Sequence, residues 1–272
     1  MLPMGRQPDQ QPERWDDHVA VYEAVFEPFT LQFAHAAVST LGLAPGQSVL
    51  DVGAGSGGAA LAMAEQGLRV TAIDASARMV DRILSRAGER GVRVEAQVMD
   101  GQALQFADAS FDAALSVLGV ILIPDAERGV AEMRRVTCPG GRVAVVTWTQ
   151  PHNFELATEL RSAIQEVWPE QPPAPLPAQL RYREEADFCA LFRAAGLDEP
   201  AIMPVTARLE APSARWLSAR IGFAPGMSAM MASLGERTPA VLERFACELE
   251  ARLGKGPVIL SGVAFIGSAR VL

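Results

Sequence analysis

The chain has 272 residues, 49% hydrophobic and 21% charged, which is enough apolar material for a sizeable core and excludes wholesale disorder. Its 24 basic and 32 acidic residues leave a formal charge of −8, the wrong sign for counterion-release binding, so no nucleic-acid partner is expected. Cys138, Cys189 and Cys247 lack C-x-x-C spacing, and neither an apolar leader nor an uninterrupted apolar run of the ~18 residues a membrane span needs is visible, so a cytoplasmic protein without disulfides, thiolate metal site or membrane span is expected.

The N-terminal region predicts an amphipathic helix from Asp16 to Phe26, interrupted by Pro28, and a second helix from Thr30 that Gly42 stops. From residue 47, short β-branched runs alternate with helical stretches, the pattern of βαβ units and a parallel sheet. Strands are predicted at 47–52, 69–74, 92–99, 111–117 and 141–148, with helices between them at about 57–66, 76–90 and 125–137. Ser76 and Asp125 are the expected N-caps, and Gly67 and Gly91 the stops. A helix at 153–167 precedes PEQPPAPLP at 169–177, a run that cannot donate ladder hydrogen bonds and reads as a stiff connector. A helix at 184–195, a strand near 201–210 and helices at 213–220, 227–234 and 239–252 follow, the last with Thr238 as cap. A long strand at 258–271 closes the chain.

The most informative segment is VLDVGAGSGGAALAMA, a buried strand running into Gly53, Gly55, Gly57 and Gly58 and then into an Ala-rich helix. Glycines permit positive φ and close approach of a ligand, and the helix start presents free N–H groups, so a nucleotide-type ligand is expected. The string fits G-x-G-x-G at 53, 55 and 57 and also G-x-G-x-x-G at 53, 55 and 58, so the glycines leave two cofactor classes open. Asp74, at the end of the second strand, can accept both hydrogen bonds of a ribose diol in either class. Asp100 ends the third strand.

The stretch from Val49 to Trp148 resembles the S-adenosylmethionine-dependent methyltransferases with the Rossmann-like fold, and within them the group that includes the ubiquinone/menaquinone biosynthesis methyltransferases. The likeness rests on VLDVGAGSG, AIDASARMV, MDGQALQFADASFDAALS and MRRVTCPGGRVAVV, in that order and spacing. It implies an α/β fold with a seven-stranded, mostly parallel sheet, an antiparallel last strand and helices on both faces. A single domain over 1–272 is expected, with an N-terminal helical lid (1–45), a cofactor-binding core (46–150), a region holding the substrate cap, linker and strand 6 (151–257) and the final strand (258–272).

The resemblance also implies roles at the matching positions. The backbone of Gly53, Ala54, Gly55, Ser56 and Gly57 would wrap the methionine part of the cofactor, and Asp51 would orient that loop. Asp74 would hold the ribose hydroxyls, with Ala75 and Met79 beside the adenine. Asp100 would face the adenine amino group, bordered by Gly101 and Gln102, and Val117 would offer backbone groups to the amino-acid moiety. Tyr22 lies on the N-terminal helix where relatives fold a lid over the cofactor.

The implied reaction is in-line attack of an acceptor O, N or C atom on the sulfonium methyl, leaving S-adenosylhomocysteine. LGVILIPD at 118–125 lacks the Asn/Asp-Pro-Pro-aromatic run of the amino-methylating relatives, and no Asp/Asn set for a catechol-type magnesium site is visible, so metal-free methylation of a small molecule is expected. The apolar Leu118–Leu122 stretch, with Trp168, Tyr182, Trp216, Phe223, Met227, Met230 and Met231, suits an apolar or aromatic acceptor of quinone, phenol or polyketide type, as in secondary metabolism. His152, just after the fifth strand, and His18, on the N-terminal helix, are the candidate bases, while His35 is expected to face the core. Two other readings fit the glycine turn: an NAD(P)-dependent oxidoreductase, and a non-catalytic cofactor-binding sensor or scaffold.

Overall fold

A computed structural model describes residues 6–172 and 176–272. The middle of the proline run expected as a connector, 173–175, lies outside the described residues. Strands β1 (Ser48–Val52), β2 (Arg69–Asp74), β3 (Val94–Val98), β4 (Phe111–Val117), β5 (Thr137–Trp148), β6 (Ala201–Ala211) and β7 (Val258–Arg270) form one sheet in the order β3-β2-β1-β4-β5-β7-β6. The pairs from β3 through β5 are parallel, and β7 runs antiparallel to both β5 and β6. The last strand in the chain therefore threads between β5 and β6 instead of adding to an edge.

Helices α1 (Pro12–Trp15), α2 (Val19–Val25) and α3 (Glu27–Leu41) precede the sheet, and α4 (Gly58–Glu65), α5 (Ala77–Arg90) and α6 (Ala126–Val136) connect its parallel strands. After β5 come α7 (Glu155–Val167) and α8 (Glu185–Ala194), and between β6 and β7 come α9 (Ala214–Ser218), α10 (Pro225–Ser233) and α11 (Thr238–Leu253). Two glycines of β7 show that both faces are covered. A Cβ on Gly262 would meet Phe29 of α3 at 2.6 Å, and one on Gly267 would meet Phe192 of α8 at 2.6 Å. Positions five apart on a strand face opposite ways, so these rings press on opposite sides of the sheet. Burial on both faces is why β1 reads Val-Leu-Asp-Val without polar alternation. No helix among the described residues is long and apolar enough to cross a membrane.

Several boundaries differ from the sequence reading. The helix expected over 16–26 begins only at Val19, after a turn at Asp16–His18 where the Asp16 carboxylate accepts from Ser76 Oγ (2.6 Å) and Arg78 N (3.2 Å). Pro28 begins a helix instead of interrupting one: it sits in the first turn of α3, where a missing N–H leaves no bond unmade. Strand β5 starts at Thr137, which pairs with Phe111 before the register shifts. Helix α10 starts at Pro225, ahead of the expected 227, and the Thr238 hydroxyl donates to Met231 O instead of capping α11. Ser76 and Asp125 cap α5 and α6 through Met79 N and Arg128 N, as expected.

Candidate functional site

The carboxyl ends of β1, β2 and β4 converge on the glycine turn. Gly53, Gly55 and Gly57 take φ values of 70°, 56° and 90°, a region that L side chains rarely occupy. The amides of Gly53 and Ala54 both donate to Ile73 O, at 2.9 and 3.0 Å, which ties the turn to β2. Against β4 the packing is backbone on backbone, since a Cβ on Gly53 would stand 2.9 Å from Gly119 Cα. The chain just after β4 is correspondingly tight: Leu118 holds φ at 59°, and the buried Ser116 hydroxyl donates to Val52 O (2.7 Å) while accepting from Val120 N (2.8 Å). Ser116 thereby fixes the end of β1 relative to the loop after β4. Its only sequence signal is a small polar residue in an apolar strand.

A cavity of about 30 Å³ lies between this turn and the N-terminal helices, lined among others by Tyr22, Glu27, Asp51, Gly53, Ala54 and Val117. Asp51 is 1% exposed and its Oδ2 has no hydrogen-bond partner among the described residues. Burial, reinforced by the charge of Asp74, pushes its carboxyl from the ordinary 3.8 up to about 7. The second carboxylate on the cavity, Glu27, is fully engaged. Its Oε1 accepts from Ser56 Oγ (2.6 Å), Gly58 N (3.0 Å) and Arg86 Nη1 (2.7 Å), and its Oε2 accepts from Arg86 Nη2 (2.8 Å). Arg86 also donates to Ser56 O at 2.8 Å. Neither Glu27 nor Arg86 stands out in the sequence, because each sits on an amphipathic helix where a charge normally marks the solvated face.

On the other side of the turn, Asp74 accepts from Gly55 N (2.8 Å) and Ser76 N (2.9 Å). Burial raises its pKa against the pull of those donors. Ala75 is exposed beside it, and Met79 is buried. Asp100, exposed at the end of β3, accepts from the backbone and side-chain amides of Gln102 at 2.9 and 3.0 Å, and Gln102 Oε1 in turn accepts from Asp125 N at 3.1 Å. Gly101 is buried against Ile123 and Val52. Asp51, Val117 and the two ends of the glycine turn, Gly53, Ala54 and Gly58, thus meet at one cavity that Gly55, Ser56 and Gly57 do not line, whereas Asp74, Asp100, Gly101 and Gln102 lie at and just past the neighbouring strand ends.

Tyr22 lies over the turn, with its ring 3.5 Å from where a Gly55 Cβ would stand, and packs edge-on against Trp15 and Phe26. Burial drives its hydroxyl pKa well above the usual value. Phe26 continues the aromatic layer toward the end of β5, stacking on Phe223 at 4.5 Å and lying 5.9 Å from Trp148, which stacks on Phe154. Of the large side chains expected around an acceptor, Phe223 joins this layer, Tyr182 and Met231 are buried, and Met227 and Met230 pack half-buried against the core. Trp168 and Trp216 each lie beneath an arginine, Arg237 and Arg220.

The histidines separate. His18 sits at the start of α2 with Nδ1 2.7 Å from Arg14 O and Nε2 2.9 Å from Ser228 Oγ, which joins the N-terminal segment to α10. Asp9 strengthens that junction by accepting from Gly226 N at 2.6 Å. His152 is exposed on the short turn Pro151–Asn153. His35, expected to face the core, is exposed, because Phe33, Ala34 and Ala37 take the buried side of α3. No cluster of three or more His, Cys, Asp or Glu suited to a metal occurs among the described residues.

Comparison with known proteins matches residues 50–145 to the family described as a methyltransferase domain. An uncharacterized protein of Mycobacterium tuberculosis is 39% identical over 112 residues, 41% of this chain and 41% of that one. The demethylmenaquinone methyltransferase of Renibacterium salmoninarum is 32% identical over 152 residues, 54% of this chain and 62% of that enzyme. The chain thus spans less than two thirds of the length of these relatives. Among solved structures, the YcgJ protein of Bacillus subtilis superposes with a TM-score of 0.56 at 23% identity, covering 87% of this chain and 97% of that one, a likeness of fold. Residues 50–145, which carry β1 to the body of β5 and the glycine turn, thus match a methyltransferase domain, and the sheet order is of the Rossmann-like kind.

Proposed function

We propose that this protein transfers the methyl group of S-adenosylmethionine to an O, N or C atom of a small apolar or aromatic molecule. The observation that carries the reading is the charge of the cavity at the glycine turn. Asp51 Oδ2 is buried and has no hydrogen-bond partner among the described residues, a costly arrangement that an ammonium group would relieve. The amino-acid end of the cofactor carries such a group, and Val117 lines the same cavity.

A dinucleotide fits less well. Pyrophosphate in the dinucleotide-binding fold rests on the helix N-terminus after the glycine turn, and here that amide, Gly58 N, already donates to a buried carboxylate. A pyrophosphate would have to displace Glu27 or lie beside it.

When bound, the cofactor supplies an electrophilic methyl group on a sulfonium. The chain's own residues would orient and exclude. Asp74 has lone pairs left for ribose hydroxyls beyond those used by Gly55 and Ser76, and Asp100 with Gln102 would edge the adenine, flanked by Ala75, Met79 and Gly101. The Phe26–Phe223–Trp148 layer would wall the acceptor side with apolar surface. Fixing nucleophile and electrophile in near-attack geometry can supply ~7–11 kcal/mol of such a barrier, so a strong general base is not required. The 30 Å³ cavity is far below the roughly 300–1,000 Å³ of a ligand pocket, so α1 and α2 act as a lid that lifts Tyr22 off Gly55 to admit a nucleoside while α3 stays packed on the sheet. Calorimetry of the whole chain with S-adenosylhomocysteine and with NADH tests the reading, and turnover is then sought with quinone, phenol and polyketide-like acceptors. Heat from NADH alone would refute it, and cofactor binding without turnover on any acceptor would favour a sensor.

A further inference from the structure

Gly58 is the glycine of the turn whose backbone does not take a positive φ, so its lack of a side chain needs another reason. That reason is α3. A Cβ at 58 would stand 2.8 Å from Glu27 Cδ and 2.9 Å from its Oε1, so the glycine makes room for a carboxylate that arrives from α3, 31 residues away in sequence. Glu27 is 7% exposed and the Arg86 side chain 8%, so the pair is held inside the protein and not on a screened surface. Together they occupy three polar groups of the turn: Ser56 Oγ, Ser56 O and Gly58 N. The start of an α-helix attracts anions, and here the anion is part of the chain.

We infer that Glu27 is a positioning and specificity residue of the cofactor site: it acts as the built-in counter-anion of the α4 N-terminus, sets the glycine turn for the cationic amino-acid end of the cofactor, and turns away adenosine ligands that carry a 5′-phosphate. The inference rests on the reading that this turn holds S-adenosylmethionine. It also gives the ambiguous glycine pattern a physical resolution, because the third glycine of G-x-G-x-x-G is used here for the carboxylate of α3.

The test compares the full-length protein with Glu27→Ala and Glu27→Gln by calorimetry against S-adenosylhomocysteine, 5′-methylthioadenosine, which lacks the amino-acid end, and AMP. Removing the charge-assisted bonds in Glu27→Ala should weaken S-adenosylhomocysteine about tenfold or more and leave 5′-methylthioadenosine nearly unchanged. The uncovered Arg86 and Gly58 N–H should raise AMP affinity relative to 5′-methylthioadenosine by about tenfold. Acetate, but not chloride at equal ionic strength, should restore S-adenosylhomocysteine binding and suppress the gain in AMP. Glu27→Gln keeps the shape and the acceptor for Ser56 and Gly58, so a gain in AMP binding there isolates the charge even if the alanine variant does not fold. Equal loss of both thioether ligands with no gain in AMP, or wild-type affinity in either folded variant, overturns the inference. Failure of the unaltered protein to bind either thioether would overturn the cofactor reading instead, and the AMP arm would still decide the role of Glu27.

Discussion

Replacing Asp51 by Asn separates the cost of a buried charge from its use. The carboxyl titrates near 3.8 when solvated and at about 7 in the folded protein, so folding stabilises its protonated form. That gap amounts to about 4 kcal/mol. Because the folded pKa is the higher one, the contribution is fully present below about pH 4 and is lost as pH rises through about 7. The unfolding free energy of the wild-type protein, minus that of Asp51→Asn, should therefore fall by ~1.4 kcal/mol per pH unit across this window and level off above it. Subtracting the variant removes most of the background from Asp74 and Asp9, whose pKa values burial also raises. Urea denaturation of both proteins from pH 5 to pH 8.5, without ligand, gives the curve. Saturating S-adenosylhomocysteine should flatten it, since an ammonium group beside Asp51 favours the ionised carboxylate. By the same linkage, affinity for S-adenosylhomocysteine should strengthen from pH 5.5 to 7.5 in the wild type only, and Asp51→Asn should weaken binding at pH 7.5 by about 1.5–3 kcal/mol. Parallel wild-type and variant stability curves would refute the assignment of Asp51 as the orphaned charge of the site.

Gly53→Ala places a Cβ 2.9 Å from the backbone of Gly119 at a φ of 70°, so a loss of about 2–4 kcal/mol in thermal or urea stability is expected, and a loss under a few tenths would mean the two loops yield. Asp74→Ala removes the acceptor for Gly55 N and Ser76 N as well as the proposed ribose partner, and should cost about 1.5–3 kcal/mol of S-adenosylhomocysteine binding by calorimetry; unchanged affinity would move the ribose elsewhere. Phe223→Ala deletes the ring stacked on Phe26 and should lower stability by about 3–5 kcal/mol, while Phe223→Leu should keep the fold and raise the acceptor KM more than it changes cofactor affinity. His152→Ala, at an exposed position, should leave kcat unchanged once an acceptor is known, and a drop of about 100-fold or more would restore it as a base.

The strands, their alternation with helices, the caps at Ser76 and Asp125 and the glycine turn were legible in the sequence because each is a local effect: β-branched runs, side-chain caps and positive φ depend on neighbours a few residues away. Asp74 could be placed at the end of β2 and Asp100 just past β3 because strand ends are fixed by the same local pattern. The turn at Asp16–His18 and the start of α3 at Glu27 were not, since one involves a carboxylate bonded to Ser76 and Arg78 about sixty residues away, and the other a helix that starts earlier than its cap signals indicate. Only the tertiary structure threads β7 between β5 and β6, where the phenylalanines of α3 and α8 require glycines on its two faces. Only it brings Glu27 and Arg86 onto the glycine turn and leaves Asp51 Oδ2 without a partner. The sequence by itself determined which backbone could cradle a ligand. Which charge stays free there was decided by elements far along the chain, since Glu27 and Arg86 arrive as a pair while no side chain among the described residues reaches Asp51 Oδ2, and a Coulomb interaction depends on distance in space and not on separation in sequence.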